Sequence, residues 1–201
     1  MKKWCCLFFL VSLLLYGVGL VRDLNELQNS LIRLHVVGAS DDAEDQERKL
    51  QVKDAVNNFL LEALQEVETL PEAKLQLTNM LPQIKKIAES VLKEQGIEEQ
   101  VSVTLAKEMF PKREYETFTL PAGVYESLRI RIGAAQGRNW WCVVFPSLCV
   151  PSETEYMRDQ AVGAGFSEDL CATITGEEGY EIRFFFLDLL GQLQNLWFQG
   201  N

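Results

Sequence analysis

Histidine is almost missing from this chain: His35 is the single imidazole in 201 residues. A nucleophile that needs a neutral base therefore has one candidate partner, and the two would have to meet in space rather than in sequence. A structural zinc site lacks donors as well, because the five cysteines offer no short C-x-x-C spacing. Glycine never gathers into a phosphate-cradling loop, no G-x-S-x-G occurs, and no Asp-Thr/Ser-Gly element of an aspartic protease is present. Asp41, Asp42, Glu44 and Asp45 cluster, but without the glycine and closing glutamate of a calcium loop. They read as the solvated start of a helix. Positive charge is also scarce: 19 Lys and Arg stand against 29 Asp and Glu, a net charge of -10. Such a chain lacks the basic footprint that nucleic acid requires. No cofactor and no metal are expected.

Apolar residues, by contrast, are plentiful at 47%, enough for one domain with accessory sequence. The N-terminus, "MKKWCCLFFLVSLLLYGVGLVRD", sets Lys2 and Lys3 before an apolar run from Trp4 to Val21. This is an export signal over residues 1–22, with Gly17-Val18-Gly19 as a small-x-small exit. The run is also long enough to be a retained anchor; a cleaved signal is the preferred reading. In either case residues 22–201 lie outside the cytoplasm. Export removes Cys5 and Cys6 and leaves Cys142, Cys149 and Cys171 in an oxidising compartment, where an odd count leaves one over.

In "LIRLHVVG", residues 31–38, Ile32, Leu34 and Val36 alternate with Arg33 and His35, the pattern of a half-buried strand. Ser40, Asp41 and Asp42 then supply helix-capping residues. Val52, Val56, Phe59, Leu60, Ala63, Leu64 and Val67 put one apolar stripe on a long helix. A second stripe follows Pro71 through Ala73, Leu77, Met80, Ile84, Ile87, Ala88 and Val91, with Gly96 as its C-terminal signal. Pro82 within it should kink or divide that helix. From residue 100 the period changes to 2: "QVSVTLAKEMF", "REYETFTLP", "VYESLRIRIG" and "NWWCVVF" read as four strands. The last is apolar on both faces, as in a central strand or one covered on its second side. Residues 151–180, acidic and dotted with glycine, read as a flexible linker. Residues 181–198 form an apolar segment, read as helix over 182–198, that must be buried in the domain, a membrane or a partner. The fold class is α+β: a mainly antiparallel sheet with two long amphipathic helices on one face, in the order β-α-α-β-β-β-β, forming a core domain over 31–150.

"GRNWWCVVFPSLC", residues 137–149, is the least ordinary passage. Cys142 could be a thiol nucleophile with His35 as base, half of a disulfide, or a small apolar residue. A disulfide to Cys149 is preferred, since Phe145-Pro146-Ser147 can turn the chain back on itself. Trp140 and Trp141 must point to opposite faces of their strand, so that one enters the core and the other needs a cover. Exposed tryptophans are frequent binding anchors.

The blocks "IRLHVVGASDDAEDQERKLQVKDAV", "FPKREYETFTLPAGVYESLRIRIGAAQGRNWWCVVFPSLC" and "IRFFFLDLL" resemble, in order and spacing, the stage II sporulation protein R family. The similarity covers roughly residues 31–150 and 181–190. The chain departs from the family where Gly38-Ala39-Ser40-Asp41 stands for a common "ANSD", and where Ser147 follows Pro146 in place of a second proline. The resemblance implies a signal of endospore formation, exported from the forespore into the intermembrane space. There it would activate a membrane-embedded aspartic protease that processes pro-sigma-E, without being an enzyme itself. Asn139, Trp140 and Trp141 are the first candidate contacts, with Ser40, Asp41 and Asp45 second. The rival reading is a cell-envelope thiol enzyme using Cys142 and His35.

Overall fold

A computed structural model describes residues 2–146, 161–163 and 165–200. Its elements are α1 (Lys2–Gln28), β1 (Ile32–Val37), α2 (Ala43–Ala63), α3 (Leu70–Glu94), β2 (Val101–Phe110), β3 (Arg113–Glu114), β4 (Thr119–Leu120), β5 (Gly123–Ile132), β6 (Asn139–Phe145), α4 (Glu168–Thr175) and α5 (Glu181–Gln199). The class is α+β. The chain divides into two compact units, one of residues 30–108 and 125–165, the other of residues 1–29, 109–124 and 166–201.

The first unit holds the four-stranded sheet, ordered β2-β5-β1-β6. The sheet is mixed rather than mainly antiparallel as expected: β1 runs parallel to β5 and antiparallel to β6. The reason is that α2 and α3 lie in the connection leaving β1, and such a crossover lets a later strand re-enter in the same direction. Both helices turn their stripes to one face of the sheet. Val52, Val56 and Leu60 of α2 and Ala73, Leu77, Ile84 and Ala88 of α3 share a core with Ile32, Leu34, Val36, Leu128 and Ile130.

Local chemistry explains the helix ends. Pro71 stands in the first turn of α3, where the Thr69 hydroxyl accepts the Glu72 N–H. At the other end Gly96 takes a φ of +75°, while its N–H and that of Ile97 donate to Lys93 and Leu92 carbonyls. This left-handed close is the one the sequence signalled. Pro82 does not divide α3, which runs unbroken from Leu70 to Glu94, held on both sides of the proline by buried Leu77 and Ile84. Asp42 is the N-cap of α2 but makes no side-chain cap bond, so the capping role expected of Ser40, Asp41 and Asp42 is replaced by contacts described below.

Strand β1 is not half-buried. All six of its residues are buried, Arg33 and His35 included, because it lies between β5 and β6 and its second face is also covered. Strand β6 ends the sheet order, so its two-sided apolar character reflects covering and not a central place. "REYETFTLP" is not one strand either. Tyr115 N–H donates to the Phe118 carbonyl, folding β3 and β4 into a separate two-stranded ribbon.

The second unit contains that ribbon with α1, α4 and α5. The charges Arg22 and Asp23 end the apolar run but not the helix, since α1 continues to Gln28. Leu20, Leu24 and Leu27 are buried, Asp23 pairs with Arg183 at 2.7 Å, and the Glu26 carboxylate accepts the Ser167 N–H. Among the described residues, α1 is the one helix long and apolar enough to cross a membrane, over Leu7–Gln28. Within the stretch read as a flexible linker, α4 is an ordered helix. It is capped by Ser167, closed by Gly176, and buries Leu170, Cys171 and Ile174. Helix α5 matches the C-terminal helix read from sequence.

Candidate functional site

The two groups of residues singled out in the sequence meet at one end of the sheet, in the loop after β1 and the turn before β6. Backbone bonds tie them: Gly137 N–H donates to Gly38 O at 3.0 Å and Gln136 N–H to Ala39 O at 3.1 Å. Side chains complete a clamp. The Asp41 carboxylate accepts the Arg138 N–H at 2.7 Å. Gln46 Nε2 donates to Ser40 O at 2.7 Å, and Lys49 Nζ donates to Arg138 O at 3.0 Å and to Gln46 Oε1 at 2.6 Å. Gly137 sits so close that a Cβ there would stand 2.1 Å from Ser40 O. Ser40 Oγ donates to Asp45 at 2.6 Å, and this bond holds the Asp45 carboxyl below its ordinary range. Burial opposes the effect and Arg48 adds to it. Burial likewise pushes the Lys49 ammonium down, with Arg138 adding to it and Asp41 opposing. The sequence pointed to Ser40, Asp41 and Asp45. It did not single out Gln46, or Lys49 and Gly137, which bond to Arg138 and Gly38 far along the chain.

Across the sheet from α2 and α3 lies a second polar group. His35 Nδ1 meets Glu108 Oε1 at 2.9 Å and its Nε2 meets Asn139 Oδ1 at 2.9 Å. Trp141 stacks on the imidazole with ring centroids 3.7 Å apart. Ser127 Oγ donates to Glu108 Oε2 at 2.9 Å, and Arg129 pairs with Glu108 at 2.5 Å. Burial alone would push Glu108 up; the bonds and charges of His35, Ser127 and Arg129 outweigh it and hold the carboxyl below its ordinary value. Alternation along β2 and β5 could have placed Glu108 and Arg129 on this face, but not next to His35. Chemically the group is saturated: both ring nitrogens of His35 are engaged and one ring face is covered.

Register decides the thiol question. Cys142 pairs with Leu34 and Trp141 with His35. Directly paired residues point to the same face, so Cys142 is buried in the helix-covered core while His35 faces the other side. The sheet itself separates the proposed nucleophile from its base, which overturns the Cys142/His35 dyad. Cys149, the partner expected for Cys142, lies outside the described residues. Cys171, the expected leftover, is buried in α4.

Trp140 and Trp141 do take opposite faces. Trp140 remains 37% exposed with the Lys53 ammonium 4.8 Å above its ring. Asn139 is exposed beside it, as are the side chains of Arg138 and Asp41. Asp45 and Trp141 are engaged inside the fold. Outward of the clamp, then, stand Asp41, Arg138, Asn139 and Trp140.

Stage II sporulation protein R of Bacillus subtilis (strain 168) is 28% identical over 222 residues, covering 96% of this chain and 99% of that protein. No solved structure matches. The model of the family described as stage II sporulation protein R matches residues 28–155, a span that includes the clamp, the His35 group and both tryptophans. The chain belongs to the stage II sporulation protein R family.

Proposed function

We propose that the chain is an exported signal of endospore formation, made in the forespore, that acts from the intermembrane space. It binds a membrane-embedded aspartic protease and draws it toward the state that processes pro-sigma-E. To do so it must bind the active state more tightly than the inactive one. The observation that carries the reading is the family match over residues 28–155. The apolar helix α1, compatible with a signal or anchor, supports export. The exposed edge of Asp41, Arg138, Asn139 and Trp140 supports a protein contact, with a tryptophan on a rigid support at its centre. On this reading the chain performs no catalysis, and Cys142 pairs with Cys149 as architecture.

The test is Trp140→Ala in sporulating cells, with co-purification of the full chain and the protease. The expected result is a folded variant whose binding weakens by about 2 kcal/mol or more, roughly thirtyfold, with pro-sigma-E left unprocessed. A folded variant that signals normally would reject this edge as the contact. A purified chain that turns over substrate with no receptor present would reject the signalling role itself.

A further inference from the structure

Helix α5 is built inside out. Its polar residues face the protein: the Asp188 carboxylate accepts the Ala122 N–H at 2.7 Å, Gln194 accepts the Val124 N–H and bonds Gln28, and Asn195 donates to Phe110 O at 2.9 Å. Gly191 approaches so closely that a Cβ would lie 1.7 Å from Ala122 O. Arg183 is taken up by Asp23 and Asp169. The opposite side carries Ile182, Phe185, Phe186, Leu189, Leu193 and Leu196, all exposed, with Trp197 beside them at 73%. At 100° per residue these fall within an arc of about 120°, and from Ile182 to Trp197 the stripe is about 22 Å long. A helix of a soluble surface buries such a stripe and shows its charges. Here the charges of Arg183 and Asp188 are spent on internal bonds and the apolar side is left outward.

The stripe does not stand alone. Phe186 and Leu189 share one apolar recess with Leu13, Leu14, Gly17 and Val18 of α1, and Phe186 meets Tyr16 edge to face at 6.2 Å. These residues of α1 lie in the segment able to cross a membrane. The outward side of α5 therefore continues the apolar surface of the helix long and apolar enough to cross a membrane. We infer that, with α1 retained as an anchor rather than cleaved, α5 is an interfacial helix, lying with its Ile182–Trp197 stripe in the acyl boundary of the membrane that α1 enters. With no lysine on it, its attraction to lipid rests on apolar burial rather than headgroup charge. This placement rests on the retention of α1 and needs no receptor.

The full chain is reconstituted in neutral phosphatidylcholine vesicles, with the photocrosslinker p-benzoylphenylalanine replacing either Phe185 or Leu193. The control replaces Glu114, an exposed polar-surface residue of the same unit. Melting curves matching the unsubstituted chain establish folding for each substitution, and two independent positions guard against one failing. Lipid adducts at both apolar positions, absent at the control and unchanged by high salt, are the expected result. Chain-to-chain adducts in their place would make the stripe a self-association surface, and adduct yields no higher than at Glu114 would leave it in water. Either outcome overturns the inference.

Discussion

At the scale of single residues, the charged group on the second face of the sheet is held by Glu108. Three neighbours, His35, Ser127 and Arg129, bond to that carboxylate, so Glu108→Gln removes a charge-assisted partner from both His35 and Arg129. The expected cost is about 2–3 kcal/mol of unfolding free energy at pH 7. The sign of the pH dependence follows from the lowered carboxyl. Its contribution is complete above the ordinary glutamate value of 4.5 and is lost as pH falls through the lower folded value. Urea unfolding at pH 7 and pH 3 checks this: the gap between wild type and variant should close in acid. Gly137 answers a different demand. Gly137→Ala pushes a methyl into Ser40 O, displacing the loop that carries Asp41. A loss of about 1–3 kcal/mol is expected. Gly17→Ala, inside α1 where nothing lies within 4 Å, should cost nothing by the same measurement and gain up to about 1 kcal/mol from helix propensity.

At the scale of elements, α3 shows how packing overrides a local rule. Pro82 is exposed in the middle of a 25-residue helix and can donate no bond to the preceding turn. Pro82→Ala restores that donor without uncovering any apolar surface, and should raise the unfolding free energy by about 2 kcal/mol. A variant that melts at or below the wild-type temperature would show that the proline is accommodated without cost. The same contest explains which elements could be read from sequence. The stripes of α2 and α3 are local repeats at 3.6 residues, legible without the fold. β3 and β4 were not legible as a pair, because a two-residue strand has no period to detect. Helix α4 was hidden by acidic residues and glycines that serve as its ends: Ser167 caps it, Glu168 and Asp169 occupy its first turn, and Gly176 closes it.

At the scale of the molecule, the role proposed for the thiols is architectural. A bridge from Cys142 to Cys149 closes a short loop, worth about 2–3 kcal/mol on the chain-entropy account. Mass spectrometry of peptides under non-reducing conditions should show the two linked. A Cys142 peptide found as a thiol, or linked elsewhere, would contradict the pairing. The candidate site was half legible. Ser40, Asp41, Asp45, Asn139, Trp140 and Trp141 were all visible as unusual residues, yet their division into clamp, sheet cover and exposed edge was not. Asp45 and Trp141 proved to be internal supports, while Arg138 stands outward with Asp41 and Trp140.

Periodicity, capping chemistry and the apolar N-terminus are properties of neighbours in the chain, so the amino-acid order alone determined the two helix stripes, the alternation of β1 and β5, and the helix able to enter a membrane. Facing is different. A one-residue change of register reverses every side chain of a strand, and only the pairing of Leu34 with Cys142 put that thiol in the core while His35 went to the other side. The orientation of α5 was decided in the same way, by backbone groups at Phe110, Ala122 and Val124 that claimed its polar residues. Unpaired N–H and C=O groups in a folded interior are costly, and satisfying them left the apolar side of that helix to face outward.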